Sequence, residues 1–288
     1  EFSNAAQPGT SSIAEISPEP QPGSVTPWKA VSSNGHSLKK CVMEDYNGSP
    51  CTSTDLFDMK VGDIWEGGKQ KKRVMALDTL KEIVHKMKGK GDSSSVENAF
   101  KTETRDAQGT DIHYRSVNKA RSVQEMGDRV AVELEFGGKG ENYIFSATPK
   151  EWHSFANRHK AEAMFKWAVK HAKSGPNNGE LRRDMFLVVE VLVASRVVFI
   201  KANTAGRVRI TAAQAGGAGG TEVLDRLSEL RLAQVGGDLM VRNVTPSVEA
   251  HKVVKNSDGA CIVRVKNNAR WKSSRDFDRP HALQILGF

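Results

Sequence analysis

Residues 185–200 read Met-Phe-Leu-Val-Val-Glu-Val-Leu-Val-Ala-Ser-Arg-Val-Val-Phe-Ile, and the reading of this run decides the fold. Three readings compete: a buried core strand, a helical membrane span, and a long strand that meets lipid only after rearrangement. A membrane helix needs about 20 predominantly apolar residues, and a charge near its centre costs about 3 kcal/mol. Glu190 and Arg196 lie inside the run, Arg182 and Arg183 precede it, and Lys201 follows. Branched Cβ atoms pack well on a pleated surface, so the valines ask for a strand. Beyond Asn203-Thr204-Ala205-Gly206, the segment Arg207-Val208-Arg209-Ile210-Thr211 alternates charged and apolar residues, as a half-buried strand does. The expectation is strand, short turn, strand. Apolar residues of 185–200 point both ways, which suits burial on two faces.

Working outward, 288 residues suffice for one large domain or two small ones with a real core. The net charge of +8 directs attention to anionic partners: nucleic acid, acidic lipid or an acidic protein face. Cys41, Cys51 and Cys261 form no CxxC pair, and an odd, low count fits a reducing compartment. No apolar leader segment is read at the start of the sequence.

Residues 1–27, rich in Pro, Ser and Gly, bury too little to offset ordering entropy and are expected as a disordered arm. Trp28 is expected to be the first packed residue of a domain covering residues 28–272, with 273–288 a short tail. Leu38, Cys41 and Val42 line one face of a short helix. Residues 56–65 read as a strand, 74–88 as a helix built on Leu77, Leu80, Val84 and Met87, and 91–108 as a polar loop. Strands follow at 112–117 and 129–136, the latter turning through Gly137-Gly138-Lys139-Gly140 into 143–147 as a hairpin. Pro149 and Glu151 suit a helix first turn, giving a helix over 149–173. After the glycine-rich 216–220 come an amphipathic stretch at 223–232 and strands at 238–244 and 260–266. The sum is an α+β fold, a twisted, largely antiparallel sheet with flanking helices, because few βαβ units can be drawn.

Catalytic and metal motifs are absent from the pattern. The 216–220 cluster lacks the Gly-Lys-Ser/Thr of a phosphate loop, and His153, His159 and His171 lack metal-pair spacing. Asp55, Asp58 and Asp63 read as turn and cap residues. The expectation is a protein that is not an enzyme and takes no cofactor. The basic clusters carry more: Lys69, Lys71, Lys72 and Arg73 precede the 74–88 helix, and Lys86, Lys88 and Lys90 close it. Acidic lipid attracts each such residue by about 1 kcal/mol, and nucleic-acid phosphates attract them equally. With Trp65 the one aromatic nearby, base stacking gains little support.

Several segments together resemble the pore-forming domain of the gasdermin family, in its short fungal and microbial form. They are the basic helix around Leu38, the Phe57-Asp58-Met59-Lys60-Val61-Gly62-Asp63-Ile64 run, Asp184-Met185-Phe186-Leu187-Val188-Val189-Glu190-Val191-Leu192, Val235-Gly236-Gly237-Asp238, and Gly259-Ala260-Cys261-Ile262-Val263-Arg264-Val265. The resemblance covers about residues 28–272. It implies a cytoplasmic monomer that binds acidic lipid at the inner leaflet of the plasma membrane. Many subunits, alike or with a related allelic partner, then close into a β-barrel pore and kill the cell. An activating protease is a further implied partner. Lys39 and Lys40 match the family's basic first helix. The inserting regions fall around 111–145 and 185–210, the second carrying Val188, Val189, Val191, Val193, Val198, Ile200, Val208 and Ile210. The alternative class is a basic coat, matrix or nucleocapsid-type protein that binds nucleic acid.

Overall fold

A computed structural model describes residues 37–66, 72–89, 92–107, 111–124, 129–137, 140–172, 181–182, 185–213 and 220–267. The expected arm and tail, Trp28, Lys69, Lys71 and Lys90 lie outside them. Helix α1 (Leu38–Tyr46) leads into β1 (Ser49–Pro50), the single turn α2 (Thr54–Phe57), β2 (Ile64–Glu66) and β3 (Lys72–Met75). Helices α3 (Leu77–Lys88) and α4 (Ser93–Ala99) precede β4 (Thr102–Asp106), β5 (Ile112–Arg115), β6 (Lys119–Gln124), β7 (Arg129–Phe136) and β8 (Asn142–Phe155). Then come α5 (Arg158–His171), β9 (Met185–Ala202), β10 (Gly206–Ala213) and α6 (Gly220–Ser228). A 3-10 turn (Leu232–Gln234), β11 (Leu239–Asn243), β12 (Ala250–Lys255) and β13 (Gly259–Asn267) follow.

The long strand β9 is the axis of a nine-stranded antiparallel sheet. Along one edge it pairs with β8, from Asn142↔Ala202 to Ser154↔Glu190, and then with β2. Along the other it pairs with β12 and then β13. Strands β4 and β5 extend the sheet beyond β8, β1 beyond β13, and β3 beyond β2. The second sheet is smaller and fully antiparallel, in the order β11-β10-β7-β6. The fold is α+β, as the residue pattern indicated.

Two apolar cores result. The larger gathers Phe186, Val189, Val197 and Phe199 with α1, α3 and α5 residues such as Val42, Leu80 and Phe165. The smaller lies between the sheets and joins Ile144, Val198 and Ile200 to Val132, Leu134, Val208, Ile210 and Leu227. Neighbouring residues Val197 and Val198 thus serve different cores, while from Phe186 to Ala194 both faces of the strand lie in the larger one. Burying each such side chain contributes about 1.5–3 kcal/mol.

Several expectations are corrected. The β9 and β10 segments are not a hairpin: both edges of β9 are taken, so the chain crosses at 203–205 and β10 pairs with β7 and β11 instead. Strands β7 and β8 likewise belong to different sheets. Residues 149–155 continue β8 rather than opening a helix. Pro149 is accommodated because the β8–β9 register shifts on both sides of it, where no ladder hydrogen bond is needed. His153 is therefore a strand residue, and the helix begins only after Asn157, whose Oδ1 accepts from the Lys160 amide at 3.0 Å. The 91–108 segment holds α4 and β4 rather than a loop. Residues 56–65 divide into α2, a turn in which Asp63 accepts the Lys60 amide at 3.0 Å, and β2. The strand β3 takes the start of the expected 74–88 helix.

Candidate functional site

The described basic residues proposed to meet acidic lipid lie on three elements, α1, β3 and α3. Lys40 is exposed on α1 and pairs with Glu44 at 3.9 Å, while Lys39 is half-buried there. Burial lowers the Lys39 pKa from its ordinary value, and Glu141 works in the opposite direction. Lys72 and Arg73 are exposed on β3, with Arg73 3.8 Å from the buried Asp63 carboxylate. Lys86 is exposed at the end of α3; Lys88 lies 2.5 Å from Asp92 and 5.2 Å from the centre of the Trp167 ring. Helix α1 packs on β1 and β5, whereas α3 packs on α4 and α5. Among the described residues, these contacts place Lys39 and Lys40 on a different part of the fold from Lys86 and Lys88.

The apolar residues proposed for insertion divide between the sheets. Val188, Val189, Val191, Val193, Val198 and Ile200 are buried in β9, and Val208 and Ile210 are buried in β10. The interior charge of β9 is also accommodated: Glu190 is buried, bonded to Arg264 and 3.5 Å from Arg105. Arg264 in turn donates to the Tyr46 carbonyl at the end of α1 and lies 5.1 Å from the centre of the Trp152 ring. Removing Glu190 from this setting leaves two guanidinium groups facing each other. Inserting β9 into lipid would require the pairings on both of its edges to open.

The smaller sheet is different in kind. Strands β7 and β10 pair over eight positions, from Gly206↔Phe136 to Ala213↔Arg129. One face carries Val130, Val132, Leu134 and Phe136 against Ala212, Ile210 and Val208, all buried. The other carries Glu133 and Glu135 against Arg209 and Arg207, with Arg209 donating to Glu133 at 2.5 Å. The flanking strands keep the same alternation, placing Lys119 opposite Glu135, Arg121 opposite Glu133, and Arg242 opposite Arg209. An open cleft of about 510 Å³ lies at one end, lined in part by Asn118, Glu135, Gly206, Arg207 and Thr245. Gly206 has φ +144°, and a Cβ there would meet Val248 Cγ2 at 2.3 Å, so the crossing turn needs glycine.

A polar seam joins the larger sheet to the 3-10 turn that precedes β11. The Ser146 hydroxyl on β8 accepts the Ala233 amide of the 3-10 turn at 3.0 Å and lies 2.8 Å from His113 Nδ1 on β5. Burial pushes the His113 pKa down to about 4, and the nearby Arg231 acts in the same direction. Asp111, at the head of the same strand, is raised by burial and lowered in part by Thr148 and Arg231. The seam therefore holds a neutral imidazole in place. On the far side, the hydroxyls of Ser122 on β6 and Ser228 on α6 are in hydrogen-bond contact.

Among the described residues, no group of three or more His, Cys, Asp or Glu is placed to hold a metal ion. No described helix is long and apolar enough to cross a membrane. A scan against protein-family models and a search of curated proteins find no match to the chain. Sequence reading singled out Arg207 and Arg209 but passed over Lys119, Arg121, Glu133, Glu135 and Arg242. The signal was the charge alternation at 129–136, which sheet pairing alone converts into a shared face.

Proposed function

We propose that the protein is a gasdermin-type, membrane-acting cell-death effector whose smaller sheet opens into a β-barrel pore with other copies of the chain. The observation that carries this reading is the β7–β10 pair, whose eight registered positions place Val130, Val132, Leu134, Phe136, Val208 and Ile210 on one side and every charged residue on the other. Only a closed barrel lets strands cross lipid, with apolar side chains outward and polar ones inward. Spanning strands need about 9–11 residues, so these strands must lengthen at their ends. The intervening α6 offers chain for that extension between β10 and β11. Acidic lipid on the inner face of the plasma membrane is the proposed target, engaged by Lys40, Lys72, Arg73 and Lys86. A related allelic chain or an activating protease is a proposed trigger.

The test combines leakage with a lock. Dye release is expected from phosphatidylserine vesicles and not from neutral phosphatidylcholine ones. A Ser122→Cys, Ser228→Cys variant, oxidised to tie β6 to α6, should lose release and regain it with reductant. Release that is indifferent to the closed lock would sink the rearrangement. The exposed cationic face of the second sheet also supports the other reading, a nucleic-acid-binding protein. Salt-sensitive retention of nucleic acid, with no leakage at any lipid composition, selects that one.

A further inference from the structure

We propose that the pore wall built by the second sheet is cationic, so that the open channel passes anions in preference to cations. This deepens the pore reading and rests on it. The argument starts from the distribution of charge on four strands. The apolar faces of β7 and β10 fill the smaller core, and they are the surfaces that lipid replaces when the sheet inserts. The opposite face then turns to the lumen.

Every charged residue of β6, β7, β10 and β11 lies on that second face, because all occupy alternate positions in one continuous register. The signs are unequal. The cations are Lys119, Arg121, Arg129, Arg207, Arg209 and Arg242, and the carboxylates are Glu133 and Glu135 alone. Glu133 is already engaged, with Arg209 at 2.5 Å and Arg207 at 3.8 Å. Arg121 stands across from the same carboxylate on the other side. One carboxylate therefore answers three guanidinium groups, and Glu135 lies between Lys119 and Arg207. The imbalance survives local pairing. Repeated in every subunit, it sets a positive field around the channel axis.

Arginine supplies most of this charge and stays protonated at any working pH, so the preference is not gated by proton concentration. It is gated by salt. The screening length is about 10 Å at 0.1 M and about 3 Å at 1 M, so a wide channel discriminates only in dilute electrolyte.

Planar bilayers containing phosphatidylserine, with the full chain added under a potassium chloride gradient, provide the measurement. The chloride-to-potassium permeability ratio should be about threefold or more near 0.05 M and approach one at 1 M. Arg121→Glu combined with Arg242→Glu cancels the excess of cations on these four strands, and the ratio in dilute salt should fall to about one or below. Arg121→Gln with Arg242→Gln, a milder change on the two edge strands, should give an intermediate ratio. Conductance with no chloride preference at low salt, or a preference that both variants retain, overturns the cationic wall and leaves the pore standing. Absence of conductance in acidic bilayers overturns the pore reading, and this inference with it.

Discussion

Strands β9 and β10 follow one another in the chain and both bury apolar residues, yet they live in opposite circumstances. Each edge of β9 is hydrogen-bonded along its length, and its faces feed two different cores. Strand β10 has neighbours on both edges, but one of its faces carries Arg207 and Arg209 toward the surface. The larger sheet is therefore a scaffold whose opening would expose apolar groups in every direction. The smaller sheet has an apolar side that only needs a new apolar partner, and lipid is one. In the proposed rearrangement, the sheet that moves is distinguished by how few of its surfaces are committed, not by hydrophobicity.

The largest effect expected is at the scaffold. Phe186 is fully buried in β9, and Phe186→Ala should cost about 3–5 kcal/mol of unfolding free energy, read by urea denaturation. Hydrogen exchange should rise throughout the chain, because both cores hang on this strand. An effect confined to the larger sheet would mean that the sheets are energetically separate. The next largest is at the crossing between them. Gly206→Ala places a Cβ 2.3 Å from Val248 Cγ2 and 3.0 Å from Thr245 Cβ, with φ at +144°. A loss of about 2–4 kcal/mol is expected, with exchange rising first in β10 and β11. Equal loosening of β9 would mean that the smaller sheet cannot loosen without the scaffold.

The comparison was only half legible in the sequence. The strand identity of 185–200 and its two-sided burial followed from its valines and from Glu190 and Arg196, charges that a lipid-spanning helix resists. Strand partners did not follow, because alternation at 207–211 says which side chains face inward and nothing about which strand lies alongside. The nearest strand in sequence was the natural guess, and the filled edges of β9 overruled it. Pro149 and Glu151 carried a true helix-start composition, but a bulge can also seat a proline, and the long-range pairing with β9 decided between them. Strand β4 was invisible for another reason: all five of its residues are exposed, so it has no apolar side to give a period. For the candidate site, Arg207 and Arg209 were readable individually. Their union with Lys119, Arg121 and Arg242 exists only through the register.

A smaller effect should separate the sheets by pH. In the folded chain His113 holds its proton only below about pH 4, against an ordinary value of 6.5. Between those values the unfolded chain binds a proton that the folded chain refuses, so stability is greatest above pH 6.5 and declines as pH falls toward 4. The decline attributable to this residue is roughly 2–3 kcal/mol. Denaturation at pH 7.5 and 4.5 should show it, and His113→Asn should flatten the difference by that amount. Because Ser146 joins His113 to the Ala233 amide, exchange at Ala233 and in β11 should respond before exchange in β9. A variant with an unchanged pH profile would remove His113 from the seam.

The smallest change in stability, and the most informative about lipid, is expected at the helical surface. Lys40 sits 3.9 Å from Glu44 with both side chains more than half exposed, and Lys72 is exposed on β3. Such surface pairs are worth about 0–1 kcal/mol, so Lys40→Glu with Lys72→Glu should move the denaturation midpoint very little. Co-sedimentation with phosphatidylserine vesicles should nevertheless fall sharply, because each reversal replaces an attraction of about 1 kcal/mol with a repulsion. The same pair of substitutions should leave the ion preference of any surviving channels intact, since neither residue belongs to the second sheet. If binding is unchanged while reversal of Arg121 and Arg242 abolishes it, the charged face of the smaller sheet is what meets the headgroups. That face could not then line a lumen, and the division between scaffold and moving sheet would have to be redrawn.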